Sequence, residues 1–451
     1  MNCVEFKKNA IKKNQSTKFT WFLFLIIYIP FQIALNPGFR FDLASLRVLI
    51  VLFSLLYLVE VLYKNNFKNF LNKIDSRVVY LVIFLLLSSF SLINADNIIW
   101  GIRKIIFFLS IFPLYFLSVF LINNWRRIKK IILSLVISGS ILAFIGLIQF
   151  FSQFIFTLEK TYSFWAMNIL PVFSGFNLGT MILAYPSWLV NIGGETIMRA
   201  FSIFSDPHML SFYIGLILPL DVMLIYWETK KEKNNILFYL ILFLILYIPL
   251  LLTFSRGAYV SVIFSFLILA FFFWKYLNNR KIVILLCFSL LIFIIPITPI
   301  ADRFYSTFNL DEGSNVGRLE MWQIAGTIGM DSFWSGVGLG NYSLIIDAEF
   351  DYRNPATAHN LYLDIFSEIG FFGLIIWLFL ILGTTWQIFK KLKFIKNENK
   401  KCALICLIGS FSYFFAHSFF ETPIYSPSVL ALLMVILGLS SILLKNDSKI
   451  N

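Results

Sequence analysis

Two arginines and a histidine stand where a bundle of apolar helices has no need of them. Arg256 lies in Leu252-Thr253-Phe254-Ser255-Arg256-Gly257-Ala258, a tight turn between two long apolar runs. A charge at a membrane edge is costly and asks for a reason. A snorkelling Arg that merely ends a helix is one answer, but Lys would then serve as well. A guanidinium fork suits anion binding, and Gly257 lets a backbone or ligand come close. Arg318 lies in Asn315-Val316-Gly317-Arg318-Leu319-Glu320-Met321-Trp322. Residues 316–329 read as a helix, with Arg318 and Trp322 four apart on one face. Gly317, near its start, is expected to leave backbone N–H groups open to phosphate; an ion pair such as Arg318–Glu320 is the alternative. His359, in Ala356-Thr357-Ala358-His359-Asn360-Leu361-Tyr362 after Asn354-Pro355, sits at a helix start. An imidazole titrates near neutrality and can take a proton from a hydroxyl; a structural His is the competing reading.

Other polar residues carry weaker signals. Asp206, in Phe204-Ser205-Asp206-Pro207-His208, reads as an N-cap with Pro at the first helical position. Arg199 and His208 flank it as further candidate substrate contacts, as do Trp322 and Arg103. Arg103 and Lys104 open a span after Asp96 and could hold a lipid phosphate or pair with that acid. His417 and Glu421 read as a structural pair. Asp221, toward the inner part of a span, has no evident role. Gly336-Val337-Gly338-Leu339-Gly340 lacks the strand and helix of a dinucleotide fingerprint and reads as a flexible turn. There is no P-loop, no paired acids suggest a divalent metal, and three His leave no His-rich metal site, so neither metal nor cofactor is expected.

The elements that must position these residues are membrane helices. Hydrophobic residues make up 59% of the 451 and charged ones 14%, too few charges for a water-soluble surface. Twelve runs are long enough to span a bilayer, about 20 residues each: 19–36, 43–62, 78–94, 101–122, 131–156, 207–227, 236–254, 257–274, 282–299, 360–389, 402–420 and 426–444. The net charge of +13 marks topology rather than nucleic-acid binding. With a cytoplasmic N-terminus, the inside segments hold 27 of the 37 Lys and Arg, as the positive-inside rule requires. The first run follows Lys7, Lys8, Lys12, Lys13 and Lys18 and lacks a small-residue cleavage site, so it reads as a span and not a signal peptide. Segment 164–192 is apolar, but Pro171, Gly175, Gly179 and Pro186 interrupt it. As a span it would invert every later loop, so it reads as an outer re-entrant or interfacial segment. None of Cys3, Cys287, Cys402 and Cys406 lies on the expected outer side, so no disulfide framework is expected.

The expected architecture is an all-α polytopic bundle of about 12 transmembrane helices. Helices 1–5 occupy 1–156, an outer interfacial segment 157–206, and helices 6–9 residues 207–299. A large extracytoplasmic loop follows at 300–359, then helices 10–12 and a cytoplasmic tail at 360–451.

Several motifs, in order, resemble the O-antigen ligase and O-antigen polymerase superfamily. They are Thr253–Ala258, Gly317-Arg318-Leu319-Glu320-Met321-Trp322, Gly336-Val337-Gly338-Leu339-Gly340-Asn341-Tyr342, His359-Asn360-Leu361-Tyr362-Leu363-Asp364 and Glu368–Leu374. They concentrate in residues 250–375; elsewhere only span count and topology agree. The resemblance implies a glycosyltransferase-C-like membrane enzyme of a bacterial inner (plasma) membrane, with its site facing periplasm or exterior. It would work without metal, taking a glycan from undecaprenyl pyrophosphate to a hydroxyl on a glycan, a lipid core or a protein. Carried over, Arg256 and Arg318 would bind the pyrophosphate and His359 would act on the acceptor. One departure is His208, where relatives often carry Asn after the Pro. The chemistry fits the residues: spreading charge over two guanidiniums makes pyrophosphate a better leaving group, and a base and positioning complete the need. Trp322, Tyr342 and Tyr362 offer faces for sugar stacking or for ordinary packing. A glycolipid transporter or flippase is the alternative, but it would favour internal repeats or midplane charges, and neither is evident.

Overall fold

The computed structural model describes residues 3–38, 41–64, 74–175, 183, 187–231, 235–295, 298–309, 312–350, 352 and 356–445. Gly179, Pro186, Asn354 and Pro355 lie outside the described residues, as do the side chains of Cys3, Lys7, Lys8, Lys12 and Lys13.

Helix starts follow a simple rule here. Asp75, Asn97, Asn124, Asp206, Ser255, Asn279, Asn360 and Asn397 each cap a helix, the side-chain oxygen accepting a first-turn N–H. Such caps satisfy donors that a helix end leaves orphaned, and here they mark where apolar runs meet polar surroundings. Among the described residues eight helices are long and apolar enough to cross a membrane: Ser45–Tyr63, Ser76–Asn94, Ile98–Leu121, Trp125–Phe156, Pro207–Glu228, Arg256–Leu277, Leu361–Leu392 and Pro427–Leu444. Ser16–Phe31 and Ile236–Leu252 are shorter apolar helices. In the two remaining apolar runs the helices are Arg280–Leu290, only 11 residues long, and Glu398–His417, which has Lys400 and Lys401 in its first turn. The protein is thus a polytopic, all-α membrane protein, with two short hairpins among the described residues, Ala34–Gly38 with Phe41–Ala44 and Leu189–Ile192 with Glu195–Met198.

The helices divide by burial. In Pro207–Glu228, 94% of the hydrophobic window is buried, against 17% in Ser45–Tyr63. The first is a central post and the second a peripheral helix with its apolar side chains facing outward. Close contact around the post needs small residues: Gly215 lies directly under the ring of Tyr413, where a Cβ would collide. Pro207–Glu228, Arg256–Phe272 and Glu398–His417 pack together. Cys402 and Cys406 are buried in this packing, while Cys287 is exposed.

Alternating helices bring one set of ends together. The Ala200 N–H donates to Leu252 O, Leu361 N–H to Ser418 O, Ser428 Oγ to Ile29 O and Asn94 Nδ2 to Gly336 O. At the opposite end Ser441 Oγ donates to Asp75, Arg77 Nη2 to Gln387 and Tyr226 OH to Glu398. Between residues 157 and 206 the described chain forms short helices, Leu158–Phe164 and Leu170–Ser174 with a π-helical turn between them, then the second hairpin.

Candidate functional site

Arg256 is the first residue of its helix. Phe254, with φ 47°, turns the chain, and the Ser255 hydroxyl caps the helix by accepting the Ala258 N–H. The side chain then lies among polar partners and is 3% exposed. Its Nη1 donates to a Glu312 carboxylate oxygen and, at 3.3 Å, to Ser306 O; its Nη2 donates to Ser314 Oγ. Arg303 holds the other Glu312 oxygen at 3.0 Å, so one carboxylate bridges two guanidiniums. Gly257 does allow a close approach, but by protein: Phe420 and the His417 ring lie where its Cβ would be.

Arg318 stands on the helix Gly313–Asp331, half-buried. Among the described residues it makes no hydrogen bond or ion pair, so the Arg318–Glu320 pairing is not formed. Its charge nevertheless acts on Arg199, Arg256, His359 and Glu421. The helix begins at Gly313, four residues before Gly317. The Gly317 N–H therefore belongs to the helical ladder and is not the open donor expected.

His359 precedes the N-cap Asn360 and is held with φ 48°. A non-glycine residue rarely adopts this conformation, and surrounding structure must sustain it. Asp364 does so: one carboxylate oxygen accepts the Ala358 N–H at 2.8 Å and the other the Thr422 hydroxyl. It thereby ties the His359 loop to the Glu421–Thr422 loop. His359 Nδ1 lies 3.0 Å from both Glu421 oxygens, and Nε2 has no hydrogen bond among the described residues. The His359 side chain is 42% exposed and that of Glu421 10%. The Glu421 charge raises the imidazole to about 9 against the opposing effect of burial. Burial pushes the Glu421 carboxyl up, but the His359 charge and hydrogen bonds outweigh it and hold the group well below the usual range. The expected His417–Glu421 pair is therefore corrected. Glu421 belongs to His359, and His417 stacks on Phe212 with ring centroids 3.8 Å apart.

Arg199 and His208 are linked to the Arg256 turn through Thr253 and Ser255. Arg199 is 8% exposed; it donates from Nε to Thr253 O at 2.6 Å and from Nη2 to His208 Nε2 at 3.3 Å. Because a guanidinium only donates, His208 Nε2 accepts and Nδ1–H donates to Ser255 Oγ, 2.8 Å away. The Ser255 hydroxyl then faces His417 Nε2 at 3.4 Å. Asp206 caps its helix as expected, accepting the His208 N–H at 2.5 Å, and burial raises its carboxyl to about 6.

Other candidates fall elsewhere. Arg103 is exposed and stacks its guanidinium over Tyr352 at 4.9 Å; no described contact joins it to Arg256, Arg318 or His359. Lys104 pairs with Glu368 at 3.1 Å rather than with Asp96. Trp322 is half-buried, with its indole N–H buried and unpartnered. Tyr342 is 1% exposed, and Tyr362 is packed against Phe415 and Phe419 with its hydroxyl on Phe415 O. For these two tyrosines packing wins over sugar stacking. The glycine segment is not a flexible turn. Gly336, Gly338 and Gly340 have φ of 67°, 98° and 82°, and Gly338 abuts Ala95. The Val337 and Gly338 N–H groups donate to Ser367 O and Glu368 O. Among the described residues no three His, Cys, Asp or Glu side chains converge as metal ligands would.

Arg303 and Glu312 escape the sequence reading. Arg303 is one of only 10 Lys and Arg outside the basic inside segments, and that scarcity was a usable signal. Glu312 carries no local signal at all.

Comparison with known proteins meets the pocket directly. Residues 240–378 match the family model described as O-Antigen ligase, a span that includes Arg256, Arg303, Glu312, Arg318 and His359. The chain is also similar to the ComP-specific O-oligosaccharyltransferase of Acinetobacter baylyi, with 26% identity over 321 residues. That similarity covers 62% of this chain and 57% of the relative, so this chain spans little more than half of the relative's length. Both matches support the resemblance to the O-antigen ligase and O-antigen polymerase superfamily.

Proposed function

We propose that this protein transfers a glycan from undecaprenyl pyrophosphate to an acceptor hydroxyl, at the extracytoplasmic side of a bacterial inner (plasma) membrane. One observation carries the proposal: four guanidiniums, of Arg199, Arg256, Arg303 and Arg318, gather beside a carboxylate-bound histidine, and Glu312 is the only carboxylate ion-paired with any of them among the described residues. A pocket with that excess of positive charge fits a dianionic or more highly charged ligand. The family match and the named activity of the relative support the same class of reaction.

In this mechanism the pyrophosphate displaces Glu312 from Arg256 and is held by Arg256 and Arg318. The acceptor oxygen bonds to the anomeric carbon as the bond from that carbon to the pyrophosphate oxygen breaks, and the electron pair leaves with the pyrophosphate. The two guanidiniums stabilise the charge that develops there. The acceptor's proton passes to His359 Nε2, while Glu421 holds Nδ1–H and stabilises the imidazolium that forms. No metal enters the scheme, so transfer is expected to survive EDTA; loss restored by Mg²⁺ would contradict it.

The test is transfer in reconstituted membranes from a lipid-pyrophosphate-linked oligosaccharide. Wild type is compared with His359→Ala and Arg318→Ala, each with and without a separate acceptor. A protein acceptor belongs among the arms because the relative is named for transfer onto ComP. Correctly inserted His359→Ala with wild-type activity would remove the proton-transfer assignment. Donor crossing the bilayer without transfer would replace the enzyme by a transporter.

A further inference from the structure

Another cation at the same end of the bundle has no carboxylate partner among the described residues. Arg47, in the first turn of Ser45–Tyr63, donates from Nε to Ser110 Oγ at 2.8 Å and lies over the Phe107 ring at 4.9 Å. No carboxylate among the described residues pairs with it, and neither Nη has a described hydrogen bond. Inward from it runs an apolar groove of about 280 Å³, between its own helix and the Ile98–Leu121 helices. Val51, Leu55 and Leu58 form one wall and Leu109, Pro113 and Phe116 the other. Spacing places Arg47 at its mouth: residues 47, 51, 54 or 55, and 58 share a helix face, and Ser110 adjoins Leu109 on the facing wall. Ser54 also lines the groove, its hydroxyl buried and without a described partner.

We propose that this groove holds a bilayer phospholipid, its phosphodiester on the Arg47 guanidinium and one acyl chain between the two helices. The assignment rests on charge and shape. A phosphodiester carries one negative charge, matching a guanidinium that no described carboxylate pairs, and its two free oxygens suit the planar fork. The apolar walls replace neighbouring lipid tails at no cost in hydrogen bonds, while the charged end stays at membrane-edge depth. The site does not depend on the transfer chemistry proposed for the Arg256 pocket.

The experiment uses the full chain in phosphatidylcholine nanodiscs with a trace of phosphatidylglycerol carrying a photoactivatable group on one acyl chain, and maps adducts by mass spectrometry. Adducts are expected to concentrate in residues 51–58 and 109–120. Arg47→Gln should lower them about tenfold, the loss expected for a hydrogen-bonded charge, and Leu55→Trp, which fills the groove and leaves Arg47 in place, should abolish them. Three results overturn the proposal. One is labelling in the groove unchanged by Arg47→Gln. Another is equal labelling by a photoactivatable diacylglycerol, which lacks the phosphate. The third is displacement of the probe by an equimolar polyprenyl phosphate, which would assign the groove to an isoprenoid lipid.

Discussion

Two charged clusters lie at the same end of the bundle, and they treat their charges in opposite ways. Around Glu368 every group is matched. Lys104 reaches both carboxylate oxygens at 3.1 and 3.2 Å, the Tyr425 hydroxyl donates to one of them at 2.8 Å, and the Lys104 ammonium lies 3.9 Å from the Tyr425 ring centroid. The glycine turn packs its backbone onto Ser367 and Glu368. Around Arg256 the cations outnumber their partners, Arg318 has none among the described residues, and His359 is kept in a left-handed conformation. A matched buried pair specifies a structure, whereas an unmatched one stores a demand for a ligand. Both clusters draw on motifs that resemble the same superfamily, Glu368 in one and Arg256, Arg318 and His359 in the other, so resemblance alone does not separate scaffold from site. Charge balance does.

The widest separation between the clusters should come from removing guanidiniums. Each of Arg256→Ala and Arg318→Ala is expected to cost roughly 10²–10³-fold in transfer, and the double variant should abolish it. Arg318→Ala should leave thermal stability unchanged, because it breaks no described contact; normal glycan output from either single variant would end the pyrophosphate assignment. Arg256→Lys should also be impaired, since the fork is lost.

Next in size is the matched cluster. Lys104→Ala leaves the Glu368 carboxylate buried and should cost about 3–5 kcal/mol of stability, read as a fall in melting temperature. The fraction that remains folded should still transfer. A variant as stable as wild type that fails to transfer would move Lys104 into the site and erase the contrast.

The His359–Glu421 pair gives a pH test. With its imidazole raised to about 9, His359 is mostly protonated at neutral pH. A base must be unprotonated, so transfer should rise about tenfold per pH unit and level off near 9. Glu421→Gln should bring that plateau down toward the ordinary imidazole value of about 6.5. A rate that instead falls as pH rises through 9 would make the imidazolium the working form. The pair's contribution to stability runs the other way. It is fully present between the ordinary carboxyl value of about 4.3 and the unfolded imidazole value of about 6.5, is lost as pH rises through about 9, and is lost again in acid as the Glu421 carboxylate protonates.

The smallest effect expected is at Glu312. In Glu312→Gln the carboxylate that competes for Arg256 and Arg303 is neutral, so donor should bind several-fold more tightly. Weaker binding would show that Glu312 orients the arginines rather than occupying the anion's place.

By itself the sequence determined the membrane bundle and most of its helices. Apolar runs of bilayer length and capping residues at their starts are local signals, and one strand of chain suffices to read them. It also marked Arg256, Arg318 and His359, because a charge at a membrane edge violates the local pattern. Tertiary structure alone decided the partners. Glu421 joins His359 across 62 positions and Glu312 joins Arg256 across 56, distances at which no periodicity or spacing carries information. Four residues apart, His417 and Glu421 read as a pair by helical geometry, but the helix ends at His417, and the turn beyond it swings Glu421 to the His359 loop. The glycine segment taught the same lesson: its composition suggested freedom, and only the packing of Gly338 against Ala95 showed that its positive φ values build a fixed turn. Which charges are matched, and so which cluster is proposed to take a ligand, is a property of contacts between distant segments, and it exists only once the helices have assembled.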